Sequence, residues 1–182
     1  MTRGLAQLLA LATMAAELEV LRTTTWIMPA SDQLSYKENF AFHVKRLKPA
    51  AAILAEYGIR FGLEYVGPKT LWASKKYAFA QIMEQMLELC AAIGENMGLL
   101  IDSWHWCTSR ETAADLRSLR PEQIVDVHIN DALANVGIDE QIDNVRDFPG
   151  ATGVIDIGTF LFILRELGYD GPVMVEPFSE RV

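Results

Sequence analysis

Four side chains able to bind a metal end apolar, β-like runs: Glu64 in Gly-Leu-Glu-Tyr-Val-Gly-Pro, Asp102 in Leu-Ile-Asp-Ser-Trp-His, His128 in Val-His-Ile-Asn-Asp and Glu176 in Val-Glu-Pro-Phe. A charge at the inner end of a buried strand is costly unless it is paired or bound to metal. Barrels and open parallel sheets place their ligands at that edge. Three carboxylates and one imidazole make a mixed oxygen and nitrogen set, suited to Mn²⁺, Mg²⁺, Co²⁺ or Zn²⁺ rather than to copper or an iron–sulfur cluster. With histidine neutral the set carries about −3, and that repulsion favours a divalent ion whose spare positions take substrate oxygens. Plainer readings stand beside this one. Glu64 and Glu176 would serve equally in structural ion pairs, Asp102 as a helix cap and His128 as a satisfied interior residue.

The elements that must position these residues alternate helical spacing with short β-rich runs, the pattern of βα units around a parallel sheet. A helix over 2–18 leads to a strand over 20–27, closed by Pro29 and an Ala-Ser-Asp turn. Residues 36–57 trace one helical face through Phe40, Val44, Leu47, Ala51 and Leu54 before Gly58 stops it. The unit repeats with a strand over 59–66 and a helix over 74–93, then a strand over 97–102 and a short helix over 111–119. A strand over 124–129 precedes a polar loop over 130–151 of the kind that holds ligands. A short strand over 153–155, a helix over 157–167 and a strand over 173–176 complete the order. About six strands stand where a closed (β/α)8 TIM barrel has eight in roughly 250 residues. The expectation is one domain over residues 1–182, a TIM barrel lacking its first strands, about 70 residues short at the front. Its unpaired sheet edges would make it pair with itself across the gap or dissolve poorly.

Composition narrows the partners. The 182 residues hold 16 Lys plus Arg against 24 Asp plus Glu, a formal charge of −8, which repels polyanions and makes nucleic acid a poor partner. The same field favours a neutral substrate. Cys90 and Cys107 do not make a disulfide framework. The amino-terminal apolar stretch is broken by Gln7 and Thr13 and followed by Glu17 and Glu19, so it reads as an amphipathic helix rather than a signal peptide. No run is long and apolar enough to span a membrane, and a cytoplasmic location is expected. His43, with Lys45 and Arg46 nearby, reads as surface, and Met83, Met86 and Leu87 as core.

Together with Thr-Trp-Ile-Met-Pro-Ala-Ser-Asp at 25–32, the four segments resemble the xylose isomerase-like TIM barrel superfamily, particularly its sugar phosphate isomerase/epimerase family. The resemblance covers nearly the whole chain. It implies that Glu64, Asp102, His128 and Glu176 are metal ligands, that His105 binds substrate oxygens and that Arg146 lies near the sugar hydroxyls. It further implies that Glu64 and Glu176 exchange the proton on opposite faces of the carbon beside a carbonyl, through an enediolate. For His105 the alternative is an aromatic wall with Trp104 and Trp106, and for Arg146 an ion pair with Asp143 or Asp147. Trp26 either lines the pocket or fills the core, and Asp131 would orient a ligand from behind.

The implied activity is isomerisation or epimerisation of a small ketose, aldose or inosose, with a divalent metal. A homo-oligomer is compatible with it. An inosose dehydratase-type lyase would use the same metal and residues. A catalytically impaired barrel fragment is a third reading. A metal-dependent phosphodiesterase resembling the repair endonucleases of the related barrel is disfavoured, because its multi-zinc cluster needs more ligands than three histidines supply, and the net charge is hostile to DNA.

Overall fold

The computed structural model describes residues 3–178. Helix α1 (Arg3–Glu17) leads to β1 (Arg22–Trp26) and the two-residue β2 (Ala30–Ser31); Thr2, the first residue expected in that helix, lies outside the described range. Helix α2 (Tyr36–Glu56), β3 (Arg60–Glu64), α3 (Lys69–Trp72), β4 (Tyr77–Ala78) and α4 (Met83–Ile93) follow. The order continues through β5 (Met97–Asp102), α5 (Ser103–Thr108), α6 (Ala113–Arg117), β6 (Ile124–Ile129), α7 (Ile157–Glu166) and β7 (Val173–Val175). Five strands pair in parallel in the order β1-β3-β5-β6-β7, forming a curled partial barrel with helices outside. Among the described residues no helix is long and apolar enough to cross a membrane.

Central strands are apolar because both faces are covered. Leu63, Leu99, Ile101 and Val127 are fully buried, and Leu54, Met86, Leu89 and Ile93 on the surrounding helices belong to the same core. Inside the curl, glycine lets strands approach closely: a Cβ on Gly98 would lie 2.7 Å from the Gln123 carbonyl oxygen and 2.8 Å from Val125. The edge strands differ. All three residues of β7 are exposed, as are Thr23, Thr25 and Trp26 of β1.

Three local expectations are corrected. The helix expected over 74–93 begins only at Met83, because Tyr77–Ala78 pairs antiparallel with Ala30–Ser31 and Ala80 takes a positive φ of 32°. Residues 153–155 form bends rather than a sixth strand, since the amides of Thr152, Gly153 and Ile155 are spent on the Asp131 carboxylate. His43 is half-buried instead of lying on the surface, its ring stacked 5.4 Å from Phe79, and burial lowers its pKa. A further helix, α5, follows Asp102 directly, capped by it as the plainer reading of that residue had it.

At the start of α4, Glu111 accepts from the Met83 amide at 2.6 Å and from the Tyr65 hydroxyl at 2.6 Å. Burial pushes this carboxyl up to about 7 from an ordinary 4.5. The folded chain thus holds that proton more tightly than the unfolded one. Its contribution to stability is whole below pH 4.5 and is lost as pH rises through about 7. Glu111→Gln keeps an acceptor for Met83 but cannot ionise. It should gain in melting temperature on the parent between about pH 5 and about pH 8; a constant difference in thermal melts across that range would count against the assignment.

Candidate metal centre

Parallel register delivers the strand-end residues to one rim. Glu64 ends β3 beside Trp26 of β1, and Asp102 ends β5 opposite His128 of β6. Glu176 follows β7, with its amide donating to the Ile129 carbonyl oxygen at 3.2 Å. One ligand-capable atom from each of Glu64, Asp102, His128 and Glu176 lies within 4.8 Å of the others. Asp102 is fully buried, Glu64 and His128 nearly so, while the Glu176 side chain retains 35% exposure toward the open side of the sheet.

Hydrogen bonding leaves room for a cation. Glu64 Oε1 and both ring nitrogens of His128 are buried without a hydrogen-bond partner, although His128 Nδ1 lies 3.3 Å from Glu176 Oε2. An unpaired buried polar atom costs on the order of 1–3 kcal/mol. Glu64 Oε1 and one ring nitrogen of His128, grouped with two further carboxylates, fit a divalent ion with mixed oxygen and nitrogen ligands. Burial, then the Asp102 and Glu176 carboxylates, hold Glu64 well above the usual carboxylate range. Burial also pushes Glu176 upward, but His128 and Arg146 outweigh it and leave that carboxyl below its ordinary value. For His128, burial opposes protonation, yet the Glu176, Asp102 and Asp126 carboxylates hold its pKa above the usual imidazole value.

Asp102 meets both of its readings. Its Oδ1 accepts from the Trp104 amide at 2.6 Å, capping α5, and both oxygens accept from Asn130 Nδ2 at 3.2 and 3.1 Å. Sequence reasoning passed over Asn130. It stands two residues after His128, on the same inward-facing parity, and that was the signal that could have found it.

Arg146 joins the cluster from the loop after β6. Its Nη1 donates to Asp102 Oδ2 at 2.8 Å and to Glu176 Oε2 at 3.1 Å, while Nη2 donates to Asp143 Oδ1 at 2.7 Å. The guanidinium lies over the rings of Trp104 and Phe178. Burial favours its neutral form, but Asp102, Asp143 and Glu176 more than offset this and raise its pKa. The ion pair with Asp143 and the place beside the metal-ligand candidates are therefore both real.

His105 is buried and pushed down to about 3 by desolvation, so it is neutral. The Gly67 amide donates to its Nδ1 at 3.3 Å. Nε2 lies 3.2 Å from Arg146 Nη2, which can only donate, and 3.7 Å from Glu64 Oε1 and Asp143 Oδ1. A hydroxyl entering there would meet the imidazole and the guanidinium together. A Cβ at Gly67 would come within 2.5 Å of the His105 carbonyl oxygen, so glycine is what allows this approach.

A cavity of about 760 Å³ adjoins the cluster, lined in part by Glu64, His105, Arg146 and Glu176. Trp26 lines it too and is 54% exposed, which places the indole at the cavity rather than in the core. Asp131 sits apart from the four. Its carboxylate accepts from the amides of Ala132, Thr152, Gly153 and Ile155, and its backbone pairs with Asp147. It thereby pins the loop that carries Arg146 instead of touching a metal-ligand candidate. Cys90 and Cys107 are free thiols.

The fold is shared with known proteins. Residues 2–181 match the family described as xylose isomerase-like TIM barrel, and the chain belongs to that family. An inosose isomerase of Halalkalibacterium halodurans is 29% identical over 136 residues, 74% of this chain and 45% of that protein. The chain thus spans about half the length of this curated relative. A xylose isomerase domain protein of Alicyclobacillus acidocaldarius superposes with a TM-score of 0.86 at 35% identity, covering 98% of this chain and 62% of the other. The IolI protein, solved with a zinc atom bound, gives a TM-score of 0.78 at 23% identity, over 97% of this chain and 60% of its own.

Proposed function

We propose that this member of the xylose isomerase-like TIM barrel family is a metal-dependent isomerase or epimerase of a small ketose, aldose or inosose. The observation that carries the reading is the convergence of Glu64, Asp102, His128 and Glu176 within 4.8 Å at the mouth of a cavity large enough for a monosaccharide. The inosose isomerase similarity and the zinc of the IolI protein support it. In this reading the chain works in the cytoplasm on an uncharged substrate, with no nucleic acid or membrane partner.

A divalent ion held by the four residues, whether Mn²⁺, Mg²⁺, Co²⁺ or Zn²⁺, would polarise a substrate carbonyl and its neighbouring hydroxyl and so acidify the C–H between them. Glu64 and Glu176 are assigned as the carboxylates that take and return that proton on opposite faces of the carbon. His105 is assigned to bind substrate oxygens beside Arg146. Arg146, fixed by Asp143, holds Glu176 in place and faces the remaining oxygens. Trp26 offers an apolar wall for the C–H face of the ring. Asp131 acts from a distance, through the loop it pins.

Incubation with Mn²⁺ and candidate ketoses or inososes in deuterated water tests this chemistry. Deuterium should enter at the carbon beside the carbonyl with no loss of water. Release of water would identify the lyase that shares these residues, and cleavage of an abasic duplex would overturn the assignment altogether.

A further inference from the structure

Strands β5 and β6 stop pairing at Asp102 and His128, the last partners in their register. Beyond them a side chain takes over from the backbone. The Asn130 amide donates to Ser103 Oγ, and that hydroxyl donates to the Asn130 carbonyl oxygen, each at 3.1 Å. Ser103 thus satisfies both main-chain groups of a fully buried residue, where unpaired ones would be costly. Pinned in this way, Asn130 keeps the inward-facing parity of His128 and aims its side chain back at the residue before Ser103.

There the amide group is committed. Nδ2 lies 3.2 Å from Asp102 Oδ1 and 3.1 Å from Oδ2, and two carboxylate oxygens can face only the NH₂ end. Asn130 Oδ1 is thereby left buried without a hydrogen-bond partner. A buried acceptor that lacks a donor costs stability, so the oxygen half of this side chain does not explain an asparagine. The nitrogen half does. The Trp104 amide holds Oδ1 at 2.6 Å and Arg146 Nη1 holds Oδ2 at 2.8 Å, but Arg146 comes from a loop and shares that nitrogen with Glu176. Asn130 stands at the end of a strand and straddles both oxygens. Being neutral, it leaves Asp102 its charge, which a lysine there would offset and an aspartate would repel.

We propose that Asn130 is a positioning residue of the candidate metal centre: clamped through its backbone by Ser103, it fixes the Asp102 carboxylate as a cation ligand without neutralising it. The proposal rests on reading Glu64, Asp102, His128 and Glu176 as metal ligands. It adds a fifth residue that touches no ion and sets how one ligand is presented. The pairing also ties Asp102 to His128, because the Ser103 clamp joins the two strands immediately beyond both of them.

Calorimetric Mn²⁺ titration, electron paramagnetic resonance of the bound ion and metal-free melting test this on the full chain. Asn130→Leu removes the donor and the orphaned acceptor together, so the metal-free melting temperature should move little. Its Mn²⁺ affinity should fall by about 10–100-fold, as when other partners behind a ligand are lost, and the resonance of bound Mn²⁺ should change shape as the carboxylate turns. Ser103→Ala frees the Asn130 backbone and leaves its side chain intact; affinity should fall in the same direction and by less. Unchanged Mn²⁺ affinity in either variant would overturn the proposal and leave the metal centre standing. So would a lower metal-free melt with the affinity and resonance of the parent, the pattern of a purely structural asparagine. A parent chain that binds no Mn²⁺ would overturn both the proposal and the metal reading beneath it.

Discussion

Glu64→Gln should lower turnover by about 10²–10⁴-fold, the range expected when a positioned acid–base group is removed, and should weaken divalent metal binding in the same protein. The substitution keeps the shape of the side chain and removes its charge. Burial and the neighbouring Asp102 and Glu176 already disfavour ionised Glu64. Losing that charge should therefore leave the metal-free chain as stable as the parent, or slightly more so. With metal added the order should reverse, because the parent keeps a carboxylate ligand that the variant lacks. Turnover, calorimetric Mn²⁺ titration and melting with and without metal separate these effects. Unchanged turnover would remove Glu64 from the mechanism, and a collapse of the metal-free fold would make it a structural residue.

Chelation should have an effect of similar size. An ion that binds the folded chain alone contributes about 2.7 kcal/mol when present at about 100 times its dissociation constant. For a chain of this length that corresponds to roughly 5–10 °C in melting temperature. Treatment with a chelator should abolish activity and lower the melting temperature by that amount, and added Mn²⁺ should restore both. Asp102→Asn should show little response to metal, since it removes the fully buried carboxylate of the proposed ligand set while keeping an acceptor for the Trp104 amide and Arg146. A chelator-insensitive melt in the parent would argue that the cluster is a network of ion pairs around Arg146.

The strand-end residues were legible because each combines two signals that survive any uncertainty of packing. An apolar run marks a buried strand, and a charged or imidazole group at its end has few reasons to be there. Glu64, Asp102 and His128 all lie where this reasoning puts them. What the sequence hid depends on contacts made by backbone. Residues 153–155 have β-like composition, yet the Asp131 carboxylate captures amides that a ladder would need. Asp131 itself was read as a support for the metal, and its four amide partners could not be foreseen from spacing. Tyr77–Ala78 pairs across 46 residues with Ala30–Ser31, a non-local contact that cut short an expected helix. Asn130 went unread although its spacing from His128 puts it on the inward-facing side, whereas the pairing of Arg146 with Asp143 was one of the two expected for it. The alternatives for Arg146 and Asp102 were not exclusive, since each side chain makes the structural contact and faces the cluster at once.

Crystals of the chain soaked in Mn²⁺ and measured for anomalous scattering address the shared centre itself. A single strong peak is predicted about 2.0–2.3 Å from oxygens of Glu64, Asp102 and Glu176 and from a ring nitrogen of His128. No peak there, or an ion held elsewhere while Arg146 keeps the carboxylates to itself, would contradict the account.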